Sequence, residues 1–151
     1  MRLIHYGNTV YSPDKVKNII NSKWRNKPNG GLWTSPVASS YGWKEWCEAE
    51  SWGDLTASFE VDFTGRILII NSYEDLIDIP FNEDTCPRVD FESLLPDYDA
   101  IWLTRQGESD TRYTRPFDLY GWDCECVLVL NKDCLSVKST PRNEGLILNR
   151  I

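Results

Sequence analysis

The chain has 151 residues, long enough for one domain with a sizeable core and too short for two comfortable ones. With 41% hydrophobic residues, seven Trp and seven Tyr, it is too apolar and too aromatic for a disordered segment. Its 16 Lys and Arg against 23 Asp and Glu give a net charge of -7, which argues against broad electrostatic adhesion to nucleic acid or to an anionic membrane.

The expected fold class is α+β in a single domain over residues 1–151, with two N-terminal helices followed by mostly antiparallel strands in two packed sheets. Residues 2 to 6 read as a first strand. Ser12, a good N-cap, and Pro13 predict a helix running to about Trp24, with Val16, Ile19 and Ile20 at i, i+3, i+4 as its buried stripe. Asn26 to Gly31 breaks it, Leu32 to Ser35 reads as a short strand, and a second helix is expected over roughly residues 40 to 50.

Residues 56 to 63 alternate with period two, and Gly65 separates them from the apolar run 66 to 70, predicting a β-hairpin or other β-β connection. A short helix is expected around Asp90 to Leu95 and a strand over Tyr98 to Thr104. Gln106 to Tyr120 is polar and reads as a long exposed loop, the kind that in small domains tends to be functional or disordered. Trp122 to Leu130 ends in an unbroken apolar run that predicts a central strand, and Leu135 to Lys138 a last short one.

His5 is the only histidine, so paired-histidine metal or acid/base schemes are excluded. The five cysteines lack zinc-ligand spacing and read as reduced thiols, with Cys124 and Cys126 on one strand face and no metal expected. No leader-like segment opens the chain and no apolar stretch approaches the ~18 residues of a membrane span, so a cytoplasmic protein without a membrane partner is expected.

Three features carry chemistry: His5 on the first strand; Trp33 and Ser35 on the strand after Gly30-Gly31, with Tyr41 and Trp43 following; and Glu125 at the head of the apolar strand. In that order they resemble the His-Tyr-Glu class of ADP-ribosyltransferases, the group of diphtheria-like toxins and poly(ADP-ribose) polymerases. The family has a His-Gly-(Thr/Ser) strand, a helix, a Gly-x-(Tyr/Phe) strand, a helix bearing a second aromatic, and a late Glu that begins a strand. Here Trp33 stands where Tyr is usual, and Tyr6 separates His5 from Gly7.

The resemblance implies an NAD-dependent glycosyltransferase that releases nicotinamide and transfers ADP-ribose to a macromolecular acceptor, a protein in preference to nucleic acid. It assigns NAD as substrate. His5 would bind the ribose, Tyr6 and Gly7 the carboxamide through their backbone, and Trp33 with Tyr41 or Trp43 would stack the nicotinamide ring. Ser35 would border that site, and Glu125 would stabilise the positive charge that develops on the sugar. Asp123, two residues before Glu125, faintly echoes the Glu-x-Glu pair of the arginine-modifying branch. The alternatives are an inactive NAD- or ADP-ribose-binding domain and a protein-interaction module. The biological setting, whether toxin, phage effector or housekeeping modifier, stays open at this level.

Overall fold

The computed structural model describes residues 1–83 and 86–137. Its strands are β1 (Arg2–Tyr6), β2 (Leu32–Pro36), β3 (Ser58–Phe63), β4 (Ile67–Ile70), β5 (Phe81–Asn82), β6 (Arg88–Val89), β7 (Ala100–Leu103), β8 (Cys126–Val129) and β9 (Leu135–Ser136). Three α-helices accompany them: α1 (Trp43–Glu50), α2 (Tyr73–Ile77) and α3 (Arg105–Thr111). Seven strands form one mixed sheet in the order β4-β7-β8-β2-β1-β3-β9, with β5 and β6 as a separate pair. Among the described residues only β4 and β7 run parallel, so the expected α+β class with mostly antiparallel strands holds.

The sheet is folded over. β3 ends at Phe63 and β4 begins at Ile67, four Cα steps that reach at most roughly 14 Å. Five strand spacings separate them in the sheet order, roughly 24 Å if the sheet were flat. The seam is β2, which pairs with β8 through Leu32–Thr34 and with β1 through Ser35 and Pro36. Two half-sheets therefore share β2 and enclose an inner core of Leu3, Leu32, Val61, Phe63, Ala100, Val127 and Val129. The outer face of β7 and β8 carries the alternate residues Ile101, Leu103, Cys126 and Leu128, packed with Leu76, Phe91, Phe117, Leu119 and Trp122. Burial on both faces explains the unbroken apolar run of β8.

Asp99 fastens the open side of this arrangement. Its carboxylate accepts from the Arg66 backbone (2.9 Å), Arg66 Nε (3.1 Å) and Asn131 Nδ2 (3.0 Å), joining the starts of β4 and β7 to the end of β8. These bonds hold its carboxyl well below the usual carboxylate range, the Arg66 side chain contributing most.

Several sequence expectations are corrected. Of the two expected N-terminal helices the structure has one, α1. In place of a helix over Ser12 to Trp24 stands a single 3-10 turn at Pro13–Lys15, which Val16 ends in extended geometry. The chain then runs irregularly to a bridge between Ile20 and Asn29. Ile19 is buried while Ile20 is 57% exposed, so the apparent stripe points two ways. Asn21 and Asn26 bind the backbone of Phe91 and Val89, tertiary bonds that outcompete a helical ladder.

β3 and β4 are both present but do not form a hairpin with each other. Within Gln106 to Tyr120, residues 106 to 111 belong to α3, and Phe117 and Leu119 are buried. The Asp90–Leu95 helix reduces to a 3-10 turn at Glu92–Leu94, and α2 had no expectation. Lys138, the expected end of the last strand, lies outside the described residues. No helix among the described residues is long and apolar enough to cross a membrane.

Candidate functional site

Below the Ile4–Ser35 pairing, β1 and β2 separate, because the first half of β2 turns to β8. A cleft of about 240 Å³ opens on this fork, bordered by His5 and Tyr6 of β1, Trp33 and Ser35 of β2, Trp43 of α1, and the segment Trp122 to Cys124. That volume is below the ~300–1,000 Å³ of drug-sized sites and suits one aromatic ring with part of a sugar.

His5 bridges the fork. Its Nδ1 donates to the Trp33 carbonyl at 2.8 Å, which fixes the proton on Nδ1 in the neutral ring. Nε2 then offers a lone pair, with the Asn8 amide 3.4 Å away. Phe59 supports the imidazole at a centroid distance of 4.9 Å. Tyr6 keeps its hydroxyl proton, its pKa raised by burial and by the nearby carboxylates Glu45, Glu48 and Glu60.

The aromatic walls are held from behind. Trp33 packs edge-on against Trp122 (4.7 Å, 72°), whose indole N–H donates to the Asn26 carbonyl at 2.7 Å. Trp43 stacks on Trp46 (4.9 Å, 18°), and Trp52 closes that cluster edge-on. Fixed rings make a better stacking surface than mobile ones, because less side-chain entropy is lost on binding. The Ser35 hydroxyl is already engaged: it donates to the Glu125 carbonyl (3.2 Å) and accepts from the Trp43 backbone N–H (2.8 Å). It thereby satisfies a first-turn donor of α1 and positions Trp43. Gly42 is required at this contact, since a Cβ there would sit 2.8 Å from Ser35 Cβ.

The charged groups of the cleft are Lys27 and Asp123. Lys27 Nζ donates to the Gly121 carbonyl (2.8 Å) and lies 4.9 Å from the centroid of Trp33, within cation–π range. Among the described residues no donor holds the Asp123 carboxylate, which is half-buried and free to meet a ligand. Its negative charge adds to burial in pushing the neighbouring Cys124 thiol up to about 12. Cys126, beside it on the floor, is raised by burial as well. Both remain protonated at neutral pH, so thiolate nucleophiles are not available here.

Five of the residues singled out from the sequence border the cleft: His5, Tyr6, Trp33, Ser35 and Trp43, the His5 imidazole also lining the adjoining hollow on the Leu3 side of β1 with Asn8, Tyr11 and Phe59. Three others lie elsewhere. Gly7 is exposed just past β1, in a left-handed conformation (φ 112°). The ring of Tyr41 lies under the Arg105 guanidinium, 3.8 Å from it, and packs on the outer core away from the cleft. Glu125 is on the opposite side of the sheet. Its carboxylate accepts from Ser39 Oγ (2.5 Å) and Trp102 Nε1 (3.0 Å), in a shallow depression bordered by Arg2 and the turn after β2.

Strand alternation explains the displacement: Cys126 and Leu128 face outward, so Glu125, one residue before them, goes with Val127 to the other side. Trp122, Cys124, Cys126 and Leu128 pack together on the outer core, and of the two carboxylates only Asp123 borders the cleft. Lys27 and Asp123 are the charged residues of the cleft that sequence reasoning left outside the site, along with Ile4, Thr34, Trp122, Cys124 and Cys126 of its lining. The pairing of Trp33 with Leu128, which sets the cleft beside the 122–124 segment, was the missing link. Comparison with protein-family models, with curated proteins and with solved structures finds no match.

Proposed function

We propose that the cleft binds the nicotinamide end of NAD and that the protein is an ADP-ribosyltransferase of the His-Tyr-Glu type in which Asp123, not Glu125, is the carboxylate facing the substrate. The observation that carries this reading is the convergence of His5, Trp33 and Trp43 on one cleft that also holds an unengaged carboxylate. The order of a strand bearing His5, a strand bearing Trp33, a helix bearing Trp43 and a late central strand agrees with the family pattern. The absence of a helix between the first two strands departs from it.

On this reading Trp33 and Trp43 flank the nicotinamide ring, His5 Nε2 accepts from a ribose hydroxyl, and Lys27 offsets negative charge on the diphosphate. The bond from ribose C1′ to the nicotinamide nitrogen breaks, and its electron pair leaves with nicotinamide. The Asp123 carboxylate stabilises the cationic sugar. An acceptor nucleophile then bonds to C1′ and gives up its proton to Asp123 as general base. When water is the acceptor the outcome is NAD hydrolysis.

A second reading is a binding domain without chemistry, and one observation favours it: the family's glutamate position, Glu125, faces away from the cleft and is engaged by Ser39 and Trp102. Nicotinamide release from NAD separates the two. Turnover by the wild type that falls at least 100-fold in Asp123→Asn supports the transferase. NAD binding with no release by either protein supports the binding domain.

A further inference from the structure

We infer that the face formed by residues 23–25 and 112–120 binds an unpaired nucleic-acid strand. Three aromatic side chains stand out from it: Trp24 is 87% exposed, Tyr113 76% and Tyr120 54%. Rings this exposed gain little from the protein's own core, and every nucleobase offers a π-face on which they can stack. The two tyrosines are set in advance. The Arg112 guanidinium lies 4.9 Å from the Tyr120 centroid and 5.8 Å from that of Tyr113, and Glu108 anchors it at 2.8 Å. The rings themselves are 5.7 Å apart and tilted by 48°, so they form a splayed pair with open outer faces.

The segment carrying Trp24 is joined to this pair by Lys27 Nζ on the Gly121 carbonyl and by the Trp122 indole on the Asn26 carbonyl. Lys23 and Arg25 flank Trp24 and are exposed, as is Arg115 beside the tyrosines; the Arg115 guanidinium lies 3.8 Å from the Asp118 carboxylate and stays open to solvent. In a chain of net charge -7 this concentration of cations selects an anionic partner, and the interleaved aromatics select one with flat bases. A duplex hides its base faces, so the partner is single-stranded. Binding here does not depend on chemistry in the cleft. Its adjacency to Asp123 makes this strand the acceptor class only if the transferase reading holds.

The test is the fluorescence anisotropy of a labelled 12-nucleotide single strand titrated with the full chain at low salt, without NAD. Saturable binding is expected, with affinity falling on added salt at a log–log slope of about −2, as three phosphate-contacting cations predict. Tyr113→Ala with Tyr120→Ala should weaken it about fivefold or more, and Lys23→Glu with Arg25→Glu should weaken it further. These side chains are exposed, and an unchanged unfolding midpoint establishes that the variants are folded. Absence of binding at low salt overturns the inference, as does equal affinity in the wild type and the tyrosine double variant. A poly-glutamate peptide that displaces the strand at equal concentration also overturns it, in favour of an acidic protein partner. Because no NAD is present, failure here leaves the nicotinamide-release result untouched, and the converse also holds.

Discussion

Replacing Glu125 distinguishes a structural carboxylate from a reacting one. Glu125 is only 9% exposed, and its side chain accepts two hydrogen bonds, from the turn after β2 through Ser39 and from β7 through Trp102. Glu125→Ala removes both and leaves the Trp102 N–H without a partner. At roughly 1.5–3 kcal/mol for a hydrogen bond to a charged group, the loss should be about 3 kcal/mol. For a chain of this size that corresponds to a fall in Tm of roughly 6–12 °C. Glu125→Gln keeps an acceptor oxygen and should lose about 1 kcal/mol. Urea unfolding measures both, and nicotinamide release on the same samples measures chemistry. The expected outcome is a destabilised Glu125→Ala and a Glu125→Gln that turns over at close to the wild-type rate. An unfolding midpoint unchanged in Glu125→Gln, together with abolished turnover while Asp123→Asn stays active, would refute the assignment and restore Glu125 as the catalytic carboxylate.

Asp99 and Gly107 give two further tests of the frame. Because Asp99 is held below its unfolded value of ~3.9, its contribution is present above that pH and is lost as pH falls through the folded value. Asp99→Asn should therefore lower stability at pH 7 and flatten the acid side of the stability profile measured by urea unfolding. Gly107 lies within α3, where alanine ordinarily gains about 1 kcal/mol. A Cβ there would stand 2.0 Å from the Ile70 carbonyl oxygen, so Gly107→Ala should instead lower the unfolding midpoint. A rise would mean that Gly107 does not pass against the Ile70 carbonyl.

The strands that frame the cleft were legible because their signals are local. Leu32 to Ser35 follows a pair of glycines, and the apolar run ending at Leu130 is long enough to demand burial on both faces. The segment from Ser12 to Trp24 misled because Val16, Ile19 and Ile20 fit a helical stripe, whereas the competing bonds of Asn21 and Asn26 to residues near 90 are long-range. α3 was hidden for the opposite reason. Gly107, Asp110 and Thr111 are poor helix formers, and the glycine is there because the Ile70 carbonyl passes against the helix. At the site, His5, Trp33 and Trp43 could be picked out by residue type and order. The carboxylate could not, since choosing between Asp123 and Glu125 requires knowing on which side of β8 the cleft opens, and strand pairing decides that.

A crystal structure of the protein soaked with NAD would locate the dinucleotide. The nicotinamide ring is expected between Trp33 and Trp43, with a ribose hydroxyl within hydrogen-bonding distance of His5 Nε2 and the Asp123 carboxylate beside C1′; the proposed function requires that arrangement. NAD bound away from these residues, or an empty cleft at saturating NAD, would contradict it.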